Sequence, residues 1–299
     1  MYKFLLIIFL SFILVLPNYA QNETDTVETE EWDEWEDWDD DEDWGEKFHK
    51  DMFSISGSPT IAVKYGLSKM DHKNLSESFS DPRSIELKLG YTNYDKVWRS
   101  SYIKQTNFKY ISVANITTDL AGDDVDPYTT NNWKIGIGNN SGYGYQFGPS
   151  ALYLTSGGSV DWTRIRLYST PADADVEITD QYHDSFRFGT SMEAGIRFQV
   201  FRQVSLEADY ERAVIFQRHL FWKWLGSAAI ESAAQFMVDR FVEEILDSSP
   251  YFAPVMAFLL KNGLNYGIYE LRKEKMNWPF NSEPPVTIDQ FKFGVTFTL

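Results

Sequence analysis

Residues 291–299 read FKFGVTFTL, and their apolar residues occur at every second position. Large apolar side chains from Phe291 to Leu299 occupy the odd positions, and Lys, Gly or Thr occupies each even position. A period of two is that of a β-strand with an apolar environment on one face and a polar one on the other. About nine residues suffice for a tilted strand to cross a bilayer. The stretch therefore predicts a membrane strand of a β-barrel.

Seven further runs between residues 53 and 217 repeat this alternation. The clearest are residues 61–67, 85–91, 186–198 and 204–210, and the less regular ones lie near 102–116, 133–147 and 151–168. In the last of these the apolar phase slips between Trp162 and Ile165, which predicts a β-bulge. We expect an all-β fold, an antiparallel transmembrane β-barrel of about eight strands.

Two turn signals inside the predicted fourth and fifth strands leave the strand count open. Asn139-Asn140-Ser141-Gly142 has the composition of a hairpin turn, and Gly157-Gly158 offers another. If these turns form, the number of strands rises to ten.

The predicted connections alternate in length. They are long at 68–83, 117–130 and 169–184, short at 97–101, 148–150 and 201–203, and very long at 218–286. Outer-membrane barrels combine tight periplasmic turns with long external loops. An even strand number then places both termini in the periplasm.

The segment 218–286 differs from the other connections because its periodicity is helical. Ile230, Ala234, Met237, Phe241 and Ile245 recur at helical spacing. A second helical stretch follows, and prolines end it before the last strand. We expect a helical hairpin inserted before the last strand. Its apolar faces could cover the barrel mouth, enter the lumen or lie on the outer leaflet.

The N-terminal part divides into two segments ahead of the predicted barrel, which covers 52–299. Residues 1–20 have the basic, apolar and small-residue regions of a cleaved signal peptide. Residues 21–51 hold sixteen Asp or Glu against two Lys, so most of the net charge of −17 lies there. Such a segment is disordered and solvated by default. Alternatively it docks a periplasmic protein through its tryptophans: Trp32, Trp35, Trp38 and Trp44.

Few residues suggest catalysis or ligand binding. The chain has no Cys, which excludes disulfides and cysteine-ligated zinc, and no pair of its four His has a metal-ligand spacing. Asp123-Asp124 and His183-Asp184 superficially resemble the acidic and His-Asp pairs of the omptin proteases. We expect no catalytic, cofactor or metal site and no nucleic-acid partner.

The predicted inward face of the strands is rich in charge. Its cations are Lys64, Lys88, Lys134, Arg187, Arg197 and Lys292, and its anions are Glu86, Glu193, Glu207, Asp209 and Glu211. The lumen of a small barrel is just wide enough for side chains to fill. A structural ion-pair network that plugs the barrel is favoured over a polar pore.

The region 53–299 resembles small bacterial outer-membrane barrels of the OmpA-like and OmpW-like class. The resemblance rests on strand alternation, loop asymmetry and the terminal FKFGVTFTL, which is similar to the signal read by the barrel-assembly machinery. It implies outer-membrane lipid around the barrel and assembly through Phe291–Leu299. Our leading hypothesis is a non-enzymatic barrel with a structural or interaction role. The alternatives are transport or binding of a small apolar or lipidic ligand gated by the insert, and a lipid-modifying or proteolytic enzyme.

Overall fold

The computed structural model describes residues 57–97, 102–121 and 127–299. The predicted signal peptide at 1–20, the acidic tail with its four tryptophans and the Asp123-Asp124 pair lie outside the described residues. These predictions therefore stay untested.

Eight antiparallel strands form a closed barrel, in which each strand pairs with its neighbours in the sequence and β8 pairs with β1. The predicted fold class is confirmed. The strands are β1 (Ser58–His72), β2 (Arg83–Lys96), β3 (Ile103–Thr117), β4 (Thr130–Phe147), β5 (Ser150–Leu167), β6 (Phe186–Phe201), β7 (Val204–Ile215) and β8 (Val286–Thr298). Every strand is longer than the 9–11 residues that cross a bilayer.

Neither internal turn signal forms a turn, so a count of ten strands is wrong. β4 and β5 pair without interruption from Thr130↔Leu167 to Phe147↔Ser150, and Asn139 lies opposite Gly158. The predicted bulge near Trp162 is also wrong, because the register there is unbroken. The turn between the two strands is Gly148-Pro149, and Gly148 has φ of 59°, a left-handed conformation that glycine adopts without strain.

The connections place tight turns at one end of the barrel, the turn end, and long loops at the other, the loop end. β1 begins and β8 ends at the turn end. Most outward side chains are large, apolar and exposed, for example Val63, Leu87 and Phe293. Inward side chains are buried and mainly polar.

The loop end is closed by an apolar cap. Inward side chains of the strand ends pack there with residues of the long loops, among them Phe79, Tyr128 and Tyr182. Ile165 and Leu167 point inward into this cap. Because they are apolar although they lie on the inward face, the sequence pattern of β5 suggested a change of phase. The loops therefore cover the barrel interior at this end.

Buried Asp175 ties the long loops of the cap together. Its carboxylate accepts hydrogen bonds from the Ser76 N–H at 2.9 Å, the Ser76 hydroxyl at 2.9 Å and the Tyr128 hydroxyl at 2.7 Å. Burial opposes ionisation of this carboxyl, but the hydrogen bonds outweigh it and hold its pKa below the ordinary value. The cap thus contains an ionised side chain that the neighbouring loops solvate.

Three α-helices lie in the described connections. They are α1 (Val176–Tyr182) in the cap, α2 (Phe221–Ser248) and α3 (Ala253–Glu274). The last two form the helical hairpin predicted before β8, called the hairpin below. In the described part of the chain no helix is both long and apolar enough to cross a membrane.

Candidate functional site

Ten of the eleven predicted lumen charges lie buried inside the barrel and form one ion-pair network. Lys64 Nζ lies 2.6 Å from Asp209 Oδ2 and 2.8 Å from Glu207 Oε2. Arg197 Nε lies 2.6 Å from the other oxygen of Glu207, and Lys88 Nζ lies 2.8 Å from Glu193. Opposite charges at these distances offset the cost of removing each group from water.

Lys292 is the centre of the network. Its Nζ lies 2.6 Å from Glu86, 2.8 Å from Glu193 and 2.6 Å from Glu211, and Lys134 also contacts Glu211. Oxygens of these three carboxylates lie within 4.8 Å of one another, a spacing that could suit a metal ion. The ammonium of Lys292 already supplies the cation there, so the cluster has the geometry of a structural ion-pair network.

Arg187 and Asp161 differ from the sequence prediction. Arg187 lies outside the network and donates a hydrogen bond to the carbonyl of Gln181 in α1. Asp161, which the sequence analysis missed, is buried in the lumen and accepts hydrogen bonds from Ser159 and Ser191. Strict alternation of β5 across Trp162 would have identified Asp161, but the expected bulge hid it.

The hairpin lies against the outer wall of the barrel, from one end of the wall to the other. Near the turn end the Tyr145 hydroxyl donates to the Tyr251 carbonyl at 2.6 Å. Near the loop end the Tyr269 hydroxyl lies 2.6 Å from Asp289 Oδ1. Tyr145 and Asp289 both point away from the lumen, because they alternate with inward residues. Of the three positions considered for the insert, the lumen and the barrel mouth are therefore wrong.

The wall beneath the hairpin carries polar side chains at positions where the rest of the wall is apolar. These outward residues are Asn139, Ser141, Ser156 and Thr190, called the polar strip below. On the outward face of β4, Asn139 and Ser141 lie between Ile137 and Tyr143. On the outward face of β5, Ser156 is the next residue after Leu154. The polar strip thus interrupts the apolar belt at the middle of the strands.

The hairpin turns several polar residues toward this strip and most of its large apolar side chains away from the barrel. Asn265 Nδ2 donates to Ser156 Oγ at 3.3 Å, and Arg272 donates to Thr190 Oγ1 at 3.1 Å. On the opposite side of α2, Trp222 is 79% exposed and Met237 is 72% exposed. This polarity is the reverse of that of a helix on a water-soluble protein.

A cavity of about 410 Å³ remains between the wall and the hairpin, a volume within the range of small-molecule sites. The space, called the outer cleft below, has a polar part and an apolar part. The polar part includes the polar strip with Glu231, Gln235, Lys261, Asn265 and Arg272, and the apolar part includes Ile137, Val160, Met192 and Trp224. Sequence analysis missed this site, because its residues come from five elements.

Arg272 is the most buried charge of the outer cleft. The residue is 2% exposed, and its Nη2 lies 2.8 Å from Glu231 Oε2. Within the described residues its Nε–H has no hydrogen-bond partner. Lys261, at the same cavity, pairs with Asp239 at 2.6 Å. The outer cleft therefore holds two cations, each paired with an anion, and the Nε–H of Arg272 is enclosed without a partner among the described residues.

Of the residues considered for catalysis, the structure describes His183 and Asp184. Asp184 is exposed and forms ion pairs with Arg164 and Arg166 at 2.6 and 2.9 Å, and these contacts lower its pKa. His183 Nδ1 accepts a hydrogen bond from the Leu167 N–H. Both residues thus take part in local loop contacts.

Comparisons with known proteins find structural likeness only. No protein-family model matches the chain, and no curated protein matches it. Among solved structures, Neisserial surface protein A is similar at 11% identity and a TM-score of 0.38, over 81% of this chain and 97% of that one.

The attachment invasion locus protein of Yersinia pestis is similar at 10% identity and a TM-score of 0.33, over 82% and 100% of the two chains. The outer membrane protein OprG from Pseudomonas aeruginosa gives 8% and 0.29, over 81% and 96%. Because the sequence identities and TM-scores are low, these matches carry no argument about function. The strand pairing itself establishes the eight-stranded closed barrel that the sequence resemblance implied.

Proposed function

We propose that the chain is a bacterial outer-membrane barrel with a closed lumen, which acts as a scaffold rather than as a pore or an enzyme. The observation that carries this proposal is the distribution of polarity. Charged side chains are paired inside, and large apolar side chains such as Val63, Leu87 and Ile135 are exposed outside. An apolar belt of this kind is stable in lipid and unfavourable in water.

The filled interior supports the absence of a pore. The ion-pair network occupies the middle of the lumen, and the apolar cap covers the loop end. Toward the turn end, Phe108 and Tyr110 pack with Ala62, and the Arg197 guanidinium lies over the Phe108 ring. An ion entering this barrel would have to displace paired charges as well as packed rings.

Planar-bilayer conductance tests the closed lumen. We expect no stepwise current from the purified chain, either intact or with residues 220–275 replaced by a short linker, because the hairpin lies outside the lumen. The same bilayers must conduct when a known porin is added. Discrete current steps from the intact chain would overturn the closed-lumen proposal.

The interaction role that we propose rests on the acidic segment 21–51. The start of β1 and the end of β8 lie at the turn end of the barrel. We assign this end to the periplasm by analogy with other outer-membrane barrels. A tail there could reach a periplasmic protein through Trp32, Trp35, Trp38 and Trp44. Replacing these four by Ser should remove a co-purifying envelope protein without reducing membrane insertion. Unchanged co-purification would refute docking by the tail.

A further inference from the structure

The charges in the lining of the outer cleft are already balanced within the protein. Lys261 Nζ lies 2.6 Å from Asp239 Oδ1, and Arg272 Nη2 lies 2.8 Å from Glu231 Oε2. A charged group entering the cleft would lose its solvation and meet no unpaired opposite charge among the described residues, which is costly. The lining therefore favours an uncharged ligand.

Among the described residues, two uncharged polar groups of the lining lack a hydrogen-bond partner. They are the Ser141 hydroxyl and the side-chain carbonyl oxygen of Gln235, Oε1, since Gln235 uses only its Nε2–H, which donates to Asn265 Oδ1. Both side chains are half-buried, and neither atom is enclosed, so both remain open to the cavity. The lining thus offers a ligand one O–H donor and one carbonyl acceptor.

The two groups belong to one part of the cavity. Ser141 lies opposite Ser156 in the register of β4 and β5, and both side chains point outward. Asn265 Nδ2 donates to Ser156 Oγ at 3.3 Å, and Asn265 accepts the hydrogen bond from Gln235. A head group with more than one hydroxyl would supply both an acceptor for Ser141 and a donor for Gln235.

The depth of the cavity also favours an uncharged head. The polar strip lies in the middle part of β4 and β5, which in a bilayer is within the hydrocarbon. A polar group without a partner is costly at that depth, and a charged group is more so. A hydroxylated head reaches the cavity at a lower cost than a carboxylate or a phosphate does.

The apolar lining indicates the rest of the ligand. Ile137 and Val160 lie opposite each other on the outward faces of β4 and β5, and Met192 lies on the outward face of β6. Ile137 is 55% exposed and Asn139 is exposed beside it, so the cavity is open toward the lipid at this edge. An alkyl chain can leave the cavity over these residues and join the apolar belt.

We propose that the outer cleft binds an uncharged amphiphile with a hydroxylated head and one alkyl chain. The head accepts a hydrogen bond from the Ser141 hydroxyl and donates one to Gln235 Oε1, and the chain passes over Ile137 and Val160 into the lipid. This inference rests on the proposed membrane location, because the amphiphile enters from the bilayer.

Two variants and one control separate this site from general lipid binding. Ser141→Ala removes a ligand contact but no side-chain hydrogen bond within the described residues, so the barrel should fold as before. Gly158→Val fills part of the cavity, since a Cβ there meets only the Ser191 carbonyl oxygen, at 3.4 Å. Ser232→Ala is the control, because Ser232 is exposed on the same hairpin and is not part of the lining.

Quenching of tryptophan fluorescence by a dibrominated monoacylglycerol in lipid vesicles measures the binding, since Trp224 lines the cavity. The difference between the chain and its Trp224→Phe variant isolates this residue from the other tryptophans. We expect saturable quenching for the unmodified chain and for Ser232→Ala. Affinity should fall about threefold to tenfold for Ser141→Ala, and saturable quenching should be lost for Gly158→Val.

The head group is tested with two further probes that carry the same dibrominated chain. A lysophosphatidic acid adds a charged phosphate, and a methyl ester lacks the hydroxyls; each should bind at least about tenfold more weakly than the monoacylglycerol. Equal binding of either probe, equal binding by Ser141→Ala, or no saturable quenching at all, as expected for a cleft that holds only water, would overturn the proposal. Heat-modifiability gels of the same samples show separately whether the barrel has folded into the membrane.

Discussion

Two polar regions lie on opposite sides of the same barrel wall and differ in how completely they are filled. Inside, the carboxylates of Glu86, Glu193 and Glu211 surround Lys292, and packed aromatic rings lie beside this network. Outside, the polar strip and the hairpin leave about 410 Å³ open beside Arg272. The contrast indicates that the lumen network holds the barrel together, whereas the outer cleft leaves open space against the wall.

The two regions also differ in how their polar groups are kept from facing hydrocarbon without a hydrogen-bond or ion-pair partner. A polar group that faces hydrocarbon without a partner costs several kcal/mol. Lumen charges avoid this cost by pairing across the barrel, from strand to strand. For the polar strip a separate element reduces this cost, because the hairpin partly covers Ser141, Ser156 and Thr190 and exposes large apolar side chains on its outer side, whereas Asn139 stays exposed. This division predicts how each region responds to substitution.

The largest effect is expected for Lys292→Met in the lumen network. The substitution leaves three buried carboxylates close together without their central cation, which should cost about 3–5 kcal/mol. Urea unfolding of the barrel in lipid vesicles measures the loss. The matched control is Lys73→Met, which removes an exposed pair with Glu274 and should cost less than about 1 kcal/mol. Equal losses for the two variants would mean that the lumen network contributes little.

An intermediate effect on the free energy of unfolding is expected for Ser156→Leu in the polar strip, and its sign should depend on whether the hairpin is present. In the intact chain the variant loses the hydrogen bond from Asn265 and crowds the hairpin, which should destabilise the barrel by about 1–3 kcal/mol. In a chain whose hairpin is replaced by a short linker, the same leucine would face lipid and stabilise by about 1 kcal/mol. Unfolding titrations of the four chains give both values, and the same sign in both backgrounds would contradict the coverage of the strip.

The smallest effect is expected at the cap and depends on pH. Because hydrogen bonds lower the folded-state pKa of Asp175, its contribution is complete above the ordinary carboxyl range and is lost as pH falls through the lowered pKa. The protection factors of the long loops, which are exchange rates corrected for the intrinsic pH dependence of amide exchange, should therefore fall only in acid. Asp175→Asn, which places an amide donor among N–H and O–H donors, should lower them already at neutral pH. Protection factors that are independent of both pH and this substitution would refute the role of Asp175.

The barrel was predictable from the sequence because its signal is local. Alternation in residues 61–67 and 291–299 fixes which side chains point inward, and the loop lengths fix the order and the ends of the strands. The lumen charges followed from the same period, apart from Arg187 at a strand end and Asp161 beside an apparent phase slip.

The outer cleft could not be predicted in this way. Polar residues such as Asn139 and Ser141 interrupt the outward face of β4, and in isolation they resemble a turn. Only the position of the hairpin shows that Ser141 is partly covered, whereas Asn139 stays exposed at the edge of the hairpin. That position depends on contacts between residues more than a hundred positions apart, such as Ser156 and Asn265.

The accessibility of single spin labels in lipid vesicles tests the central claim most directly, that the hairpin lies between the barrel wall and the lipid. The chain has no native cysteine, so single-cysteine variants need no further changes. Met237→Cys on α2 should match Leu87→Cys on the bare wall, with high accessibility to oxygen and low accessibility to a polar nickel reagent. If Met237→Cys instead matches Asp81→Cys in an exposed loop, with high accessibility to nickel, the hairpin faces water and the account is wrong.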